Sequence, residues 1–265
     1  MEEKMLLPQN IAEKFIETGK SKAALPPIRA FLLSIMAGMF IAIAGVGASV
    51  GAAAVPAAAK LVSACIFPAG LAMVILAGSE LFTGNSLMFI SVLQKEIRLR
   101  SMLKNWLIVY IGNFAGALII AFLAVYSDIF SAFSGTLAES VVSTAGNKVS
   151  LDFGTALIRG ILCNFLVCID DRMATAADSA QGKIISLFFP IMIFVLCGFE
   201  HSVANMYYIP AGLLASLKYG IEFEGLSVVS MFCNLIPVTI GNIIGGALMV
   251  ALPYKLIYLG HAKKD

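Results

Sequence analysis

Charged residues are scarce in this chain of 265 residues: Asp, Glu, Lys and Arg together make up 13%, while apolar residues make up 60%. Soluble domains contain roughly a quarter charged residues and about half apolar residues. The composition therefore excludes a soluble globular domain and predicts an integral membrane protein. The net charge is only +2, and no nucleic-acid partner is expected.

Histidine and cysteine are also few. The two histidines are His201 and His261, and the second lies in the C-terminal tail. The five cysteines fall inside apolar runs, and their spacing fits no metal site. Neither a metal nor a cofactor is therefore expected. An enzyme is not expected either, because Glu200, His201 and Ser202 are adjacent in sequence and provide no ready geometry for a nucleophile and its base.

The sequence is instead rich in long apolar runs. A helix crossing the ~30 Å hydrocarbon core needs roughly 20 residues. Six regions qualify, and the second and fifth are too long for one straight helix, which indicates broken spans. The regions are 28–55, 61–94, 103–126, 153–174, 184–217 and 228–258.

The basic residues predict the orientation of these spans. All but four of the 18 basic residues fall in segments 1–30, 93–105, 170–183 and 254–265, and the four exceptions are Lys60, Lys148, Arg159 and Lys218. Cytoplasmic loops carry the excess of Lys and Arg, so both termini are predicted to be cytoplasmic. The first thirty residues lack the early apolar core of a signal peptide.

Two sequence blocks occur twice, in the same order. Residues 78–85 and 198–205 share Gly, Glu and Asn in one frame, and residues 105–116 and 234–245 share the pattern N-x6-GN-x2-G. This predicts one channel domain over 1–265, with an internal repeat at 28–126 and 153–258 after an amphipathic cytoplasmic segment, 1–27.

Each repeat contains three spans, so the second copy must be inverted relative to the first. Inverted repeats with broken helices are a recurrent transport architecture. Irregular backbone is tolerated at that depth where it lines a cavity or is buried in protein. Because a broken helix exposes N–H groups, and because the centre lacks an acid ring, the pathway is predicted to favour small anions.

Other segments allow two interpretations. Residues 8–22 predict an amphipathic helix, which is either an interfacial anchor or a gate over the pore. Residues 127–152 are Ser- and Gly-rich and predict an external loop containing Lys148. The charges at 170–172 predict a solvated helix end. Glu80 and Glu200 are predicted to be structural carboxylates that accept bonds from the broken backbone or orient His201, and His201 is either a packing residue or a hydrogen-bond and proton partner in the pathway.

The chain resembles the formate/nitrite transporter family. The resemblance covers about residues 11–259 and rests on the motifs ELFTGN (80–85), CNFLVC (163–168), GFEHSVANM (198–206) and NLIPVTIGN (234–242). Within the family the chain looks most similar to the hydrosulfide channels. The charges at 170–172 depart from the apolar residues usual in the family.

The resemblance implies an aquaporin-like, all-α protomer of six transmembrane helices in a homopentamer of the bacterial inner (plasma) membrane. Each protomer would carry a pore for hydrosulfide, formate or nitrite. Matching positions place Phe67, Leu71, Leu81 and Phe194 at constrictions. The polar groups of the pore would be Thr83, Lys148, Asn164, Glu200, His201 and Asn205, with Lys148 as an external attractant for anions. A proton-coupled transporter is the main alternative, and a glycerol-type pore is disfavoured by the missing Asn-Pro-Ala motifs.

Overall fold

The computed structural model describes residues 5–260, and all regular structure in that range is helical. His261 and the lysines that follow it lie outside the described residues. The helices are α1 (Pro8–Ala24), α2 (Pro27–Ala54), α3 (Ala59–Ile66), α4 (Pro68–Ala77), α5 (Phe89–Leu93), α6 (Leu99–Tyr126), α7 (Thr136–Val149), α8 (Phe153–Ala176), α9 (Ala180–Cys197), α10 (Ser202–Tyr219), α11 (Val228–Ile243) and α12 (Leu252–Tyr258). Turns of 3₁₀-helix occupy Pro56–Ala58, Gly84–Met88, Ile129–Ser131 and Phe133–Gly135, and a π-helix at Ile244–Ala251 joins α11 to α12.

Six helical segments are long and apolar enough to cross a membrane, which confirms the predicted number of spans. They are Pro27–Ala54, Pro56–Ala77, Leu99–Tyr126, Phe153–Ala176, Ala180–Cys197 and Val228–Tyr258. The chain is therefore a multi-pass membrane protein. The second and fifth spans are interrupted as predicted, after α4 and after α9.

Glycines bring the spans of each repeat into close contact. α2 packs along α6, and α8 packs along α11. A Cβ on Gly116 would overlap the carbonyl of Ile35, and a Cβ on Gly245 would overlap the carbonyl of Ile161. These two glycines close the N-x6-GN-x2-G patterns, so the sequence repeat reflects one packing arrangement that is used twice.

The prediction of an external loop over 127–152 is wrong, because this segment contains the helix α7. Its apolar residues Leu137, Val141 and Ala145 are buried. They recur every four residues, as on one face of a helix, although serine and glycine dilute the pattern. α7 packs against α10, where Gly212 leaves space for Ala145.

The prediction of an amphipathic helix at 8–22 is confirmed, with an end two residues later. Ile11 and Phe15 of α1 are buried against the rest of the protein, near α5 and α12. The described part of α1 is therefore packed into the fold on one face. The division of the chain at 28–126 and 153–258 stays a prediction, and the structure adds that one short helix precedes the first span of each repeat.

The predicted solvated end of α8 is also wrong. Asp170 is fully buried and Arg172 is 4% exposed. The Arg172 guanidinium lies 3.4 Å from the ring centroid of Tyr254 and donates to the carbonyl of Pro8 over 3.3 Å. The end of α8 therefore ties α1 to α12, because these two helices cover it and keep water away.

Candidate functional site

The two helix breaks begin alike. Gly78 ends α4 with φ +74°, and Gly198 ends α9 with φ +71°. This left-handed backbone is strained for residues with a Cβ, which explains the glycine that opens each motif. The chain then leaves the helix for a few residues before helical structure resumes at Gly84 and at Ser202.

Asn113 of α6 holds the first break. Its Oδ1 accepts the backbone N–H of Phe82 over 2.9 Å, and its Nδ2 donates to the carbonyls of Glu80 (2.9 Å) and Ser34 (2.8 Å). Asn113 is fully buried. A side-chain amide supplies both donors and an acceptor, so it replaces the hydrogen bonds that the broken helix loses.

Asn242 of α11 holds the second break in the same way. Its Oδ1 accepts the backbone N–H of Ser202 over 2.9 Å, and its Nδ2 donates to the carbonyls of Glu200 (3.0 Å) and Gly160 (2.8 Å). The Asn of each Gly-Asn pair is thus a support for the break. The repeated pattern contains Asn113 and Asn242, but their role could not be predicted from the sequence alone.

Glu80 accepts hydrogen bonds from side chains and not from the backbone of the break. Its Oε1 accepts from Lys22 Nζ over 2.8 Å, and its Oε2 accepts from Asn85 Nδ2 over 2.8 Å. Asn85 also donates to Asn105 Oδ1 over 2.9 Å, and Asn105 donates to the carbonyl of Lys22 over 3.2 Å. These contacts link α1, the first break and α6.

Glu200 repeats this arrangement at the second break. Both of its oxygens accept from Lys148 Nζ over 3.0 Å, and Oε2 also accepts from Asn205 Nδ2 over 2.6 Å. Asn205 donates to Asn234 Oδ1 over 2.8 Å, and Asn234 donates to the carbonyl of Lys148 over 2.8 Å. Lys148, predicted as an external attractant for anions, is ion-paired, and its side chain is only 16% exposed.

His201 and Thr83 bring the two breaks together. His201 Nε2 lies 2.9 Å from Thr83 Oγ1, and His201 Nδ1 accepts the backbone N–H of Ala204 over 3.0 Å. Since Nδ1 is an acceptor, the proton of the neutral ring is on Nε2, and this N–H points at Thr83. An imidazolium would place two N–H groups against each other at Ala204. The geometry therefore selects a neutral histidine that donates from Nε2.

Apolar residues surround this histidine. A cavity of about 10 Å³ is lined by His201 together with all four predicted constriction residues and three that the sequence did not single out: Phe67, Leu71, Leu81 and Phe194, with Ile41, Val167 and Ile191. This volume is near the least that holds one water molecule. The Phe194 ring stacks on His201, with centroids 6.0 Å apart, and meets Phe67 edge-on at 5.8 Å. The centre is closed to a larger anion in this conformation.

A wider vestibule lies on each side of the closed centre. The N-terminal vestibule, about 330 Å³, is lined by α1 and the first break and includes Lys22, Leu71 and Leu81. The α7 vestibule, about 520 Å³, is lined by α7 and the second break and includes Phe67, Phe194 and His201. Leu71 and Leu81 thus line both the N-terminal vestibule and the central cavity, and Phe67 and Phe194 line both the α7 vestibule and the central cavity.

Asn164 contacts the backbone near the first break. Its Nδ2 donates to the carbonyl of Thr83 (3.2 Å), to Ser86 Oγ (3.2 Å) and to the carbonyl of Asn242 (2.6 Å). It is fully buried and lines none of the three cavities described above. Asn164 therefore joins the first break to α11. Asn205, by contrast, lines the α7 vestibule.

Comparison with known proteins agrees with this architecture. The profile of the formate/nitrite transporter family matches residues 9–256. The chain belongs to the formate/nitrite transporter family. The formate channel FocA of Escherichia coli K12 is 38% identical over 271 residues, covering 96% of this chain and 95% of its own. The uncharacterized transporter YrhG of Bacillus subtilis is 37% identical, covering 97% and 94%.

Two solved members of the formate/nitrite transporter family have the same fold. A pentameric formate channel with formate bound superposes with a TM-score of 0.78 at 32% identity, covering 88% of this chain and 98% of its own. An FNT family ion channel superposes with a TM-score of 0.85 at 25% identity, covering 93% and 98%. The family consists of channels and transporters, so this chain is not an enzyme.

Proposed function

We propose that this protein is a channel for small monovalent anions, with formate and nitrite as the first substrates to test. The single observation that carries the proposal is the centre of the pathway. There a neutral histidine donates from Nε2 toward Thr83 inside a closed apolar cavity, with an open vestibule on either side. The residues that line the central cavity include no acid, and a hydrogen-bond donor there favours an anion over a cation.

The substrate size follows from the constrictions. The space between Phe67 and Leu81 is about 10 Å³, so rings and aliphatic side chains must move before any anion passes. Leu71 and Phe194 carry no fixed charge, and such a slot admits only small ions that can shed most of their water. Formate, nitrite and hydrosulfide meet this limit. The preference for hydrosulfide stays a prediction, because the relatives named for a substrate include a formate channel and a probable formate transporter.

The assembly and its orientation are part of the proposal. A related solved channel is pentameric, and we infer a homopentamer with one pore in each protomer. The distribution of basic residues supports cytoplasmic termini and a bacterial inner-membrane location. Cross-linking in detergent tests the number of subunits. A ladder that ends at a band other than the pentamer would reject that number.

A proton-coupled transporter is the second candidate, and the same closed centre favours it. A bare anion is strongly destabilised in an apolar slot, whereas its neutral acid is not. Because Nδ1 of His201 is occupied by the N–H of Ala204, the ring in this conformation has no second proton to give. Coupling would therefore need a conformation in which that bond is broken.

Flux into proteoliposomes distinguishes these candidates. Formate, nitrite, hydrosulfide and glycerol are compared in one preparation, with and without a proton gradient. We expect fast anion flux without a gradient and no glycerol flux, and we expect His201→Phe to abolish anion flux while the pentamer stays intact. Flux that occurs only with a proton gradient would establish the coupled transporter. Glycerol flux would reject the anion pore.

A further inference from the structure

The lysines of the two ion pairs contribute little net charge to their vestibules. Lys22 lies 2.8 Å from Glu80, and Lys148 lies 3.0 Å from Glu200. Each lysine is matched by one carboxylate at contact distance, so an approaching anion meets a dipole rather than a charge. The positive charge that would attract an anion from solution must come from other residues.

The α7 vestibule contains two such residues, Lys60 and Arg159. Neither forms an ion pair with an acid of the described chain, 5–260. Glu200 is the acid that lines this vestibule, and Lys148 already neutralises it. The lining therefore carries two positive charges without a counter-charge in the part of the chain that the structure covers.

Lys60 lies beside the C-terminal end of α9, which borders the α7 vestibule. Its Nζ is 3.8 Å from the position that a Cβ on Gly198 would take. Gly198 ends α9, and the last carbonyls of a helix carry partial negative charge. Without the lysine, this helix end would repel an anion at the entrance to the constriction formed by Phe194.

The opposite vestibule has a counterpart. Lys183, the fourth residue of α9, lines the N-terminal vestibule together with Gly78, which ends α4. Lys60, the second residue of α3, has the equivalent position in the α7 vestibule, because it begins the other broken span. Each broken span thus begins with a lysine in the vestibule where the other one breaks. In the N-terminal vestibule, Lys14 adds a second positive charge to that of Lys183, and Asp171 adds a negative one.

We propose that Lys60, with Arg159, and Lys183 supply the uncompensated positive charge that concentrates anions at the two pore mouths, while Lys22 and Lys148 hold the breaks in place. The inference rests on the proposed anion-channel function. The attraction of anions is thus assigned to Lys60, Arg159 and Lys183 instead of to Lys148, which was the residue expected from the sequence.

The test is formate current across a planar bilayer into which the protein is inserted from one side. Removing one unit charge from a vestibule should lower the local anion concentration roughly two- to threefold at about 10 mM ionic strength, where the Debye length is ~30 Å. We expect Lys60→Gln to reduce entry from the α7 side by that factor, Lys60→Glu to reduce it further, and Lys60→Arg to leave it unchanged.

High salt is the internal control for folding. At about 1 M salt the Debye length falls to ~3 Å, so all variants should conduct like the unmodified protein. Lys218→Gln is the matched control, since this lysine is held by Asp128 (2.9 Å) and lines neither vestibule. Lys183→Glu should reduce entry from the opposite side only, so the two charge reversals should rectify the current in opposite directions.

Two results would overturn the inference. One is a Lys60→Glu current equal to that of the unmodified protein at low salt. The other is a loss that is the same at low and high salt, which would indicate structural damage in place of a lost charge. An unmodified protein without any anion current would reject the proposed function itself, so the two failures can be told apart.

Discussion

Replacing His201 by asparagine separates the two tasks of this histidine. His201 is the N-cap of α10, where Nδ1 accepts the N–H of Ala204, and its Nε2 faces Thr83. Asparagine is among the best N-cap residues, so it should keep the start of α10. Its side chain is shorter than that of histidine and should not reach Thr83. His201→Asn is therefore expected to lose the donor in the pathway and to retain the fold.

The expected magnitudes follow from these contacts. A hydrogen bond to a charged group contributes about 1.5–3 kcal/mol, so loss of the Nε2 donor should reduce formate flux roughly 10- to 100-fold. Stability should change little in His201→Asn. His201→Ala removes the cap as well, and this should lower the free energy of unfolding by about 1 kcal/mol more.

One detergent-purified preparation of each of the three proteins supplies both assays. Formate flux is measured after reconstitution into proteoliposomes, and thermal unfolding is measured in detergent. The reasoning would be refuted if His201→Asn carried formate at the unmodified rate, because the donor would then be dispensable. Equal unfolding temperatures for His201→Asn and His201→Ala would show that the cap does not stabilise α10.

Three further predictions concern stability and pH. Asn113→Ala removes three buried hydrogen bonds and should cost about 3 kcal/mol or more of unfolding free energy, whereas the exposed Asn147→Ala should be neutral in the same thermal assay. Glu200→Gln leaves the ammonium facing it unpaired and should lower the unfolding temperature, and unchanged melting would contradict the pairing. The hydrogen bond from Lys218 lowers the pKa of Asp128 below its ordinary 3.8. The stability that this pair contributes should therefore be complete above pH 3.8 and disappear as the pH falls through the lowered pKa. An NMR titration that shows an ordinary pKa for Asp128 would contradict this prediction.

The helix breaks could be read from the sequence because their chemistry is local. Lipid provides no hydrogen-bond partners, so a broken helix needs a glycine to end it and polar groups within a few residues. Gly78 and Asn85 lie in one short motif, as do Gly198 and Asn205. The spacing predicted both the breaks and the inversion of the second copy, and the structure confirms the breaks.

The partners of the two glutamates could not be read in this way. Lys22 is 58 residues before Glu80, whereas Lys148 is 52 residues before Glu200. No common spacing marks them as equivalent. The helix that carries Lys148 was not predicted either, because its serine and glycine residues are typical of a loop when the packing of its apolar face against α10 is not known.

The burial of Asp170 and Arg172 was missed for a related reason. Charges at the end of a transmembrane helix ordinarily reach water or lipid headgroups, so their sequence context predicts a solvated end. Here α1 and α12 cover that end, and the Tyr254 ring takes the place of water beside the guanidinium. Such covering depends on contacts between residues far apart in sequence, as in the bond from Arg172 to Pro8, which are 164 positions apart. Sequence periodicity carries no information about those contacts.

The inverted repeat has a consequence for direction. Each end of the pathway has a carboxylate held by one lysine and one asparagine, so an anion meets equivalent fixed groups from either side. Such a pore has no built-in direction, and the gradient of the anion decides which way it flows. The charges that line the two vestibules do differ: Lys60 and Arg159 line the α7 vestibule, whereas Asp171, at the covered end of α8, lines the N-terminal vestibule. We therefore expect any preference for entry or exit to arise from these charges at the vestibules.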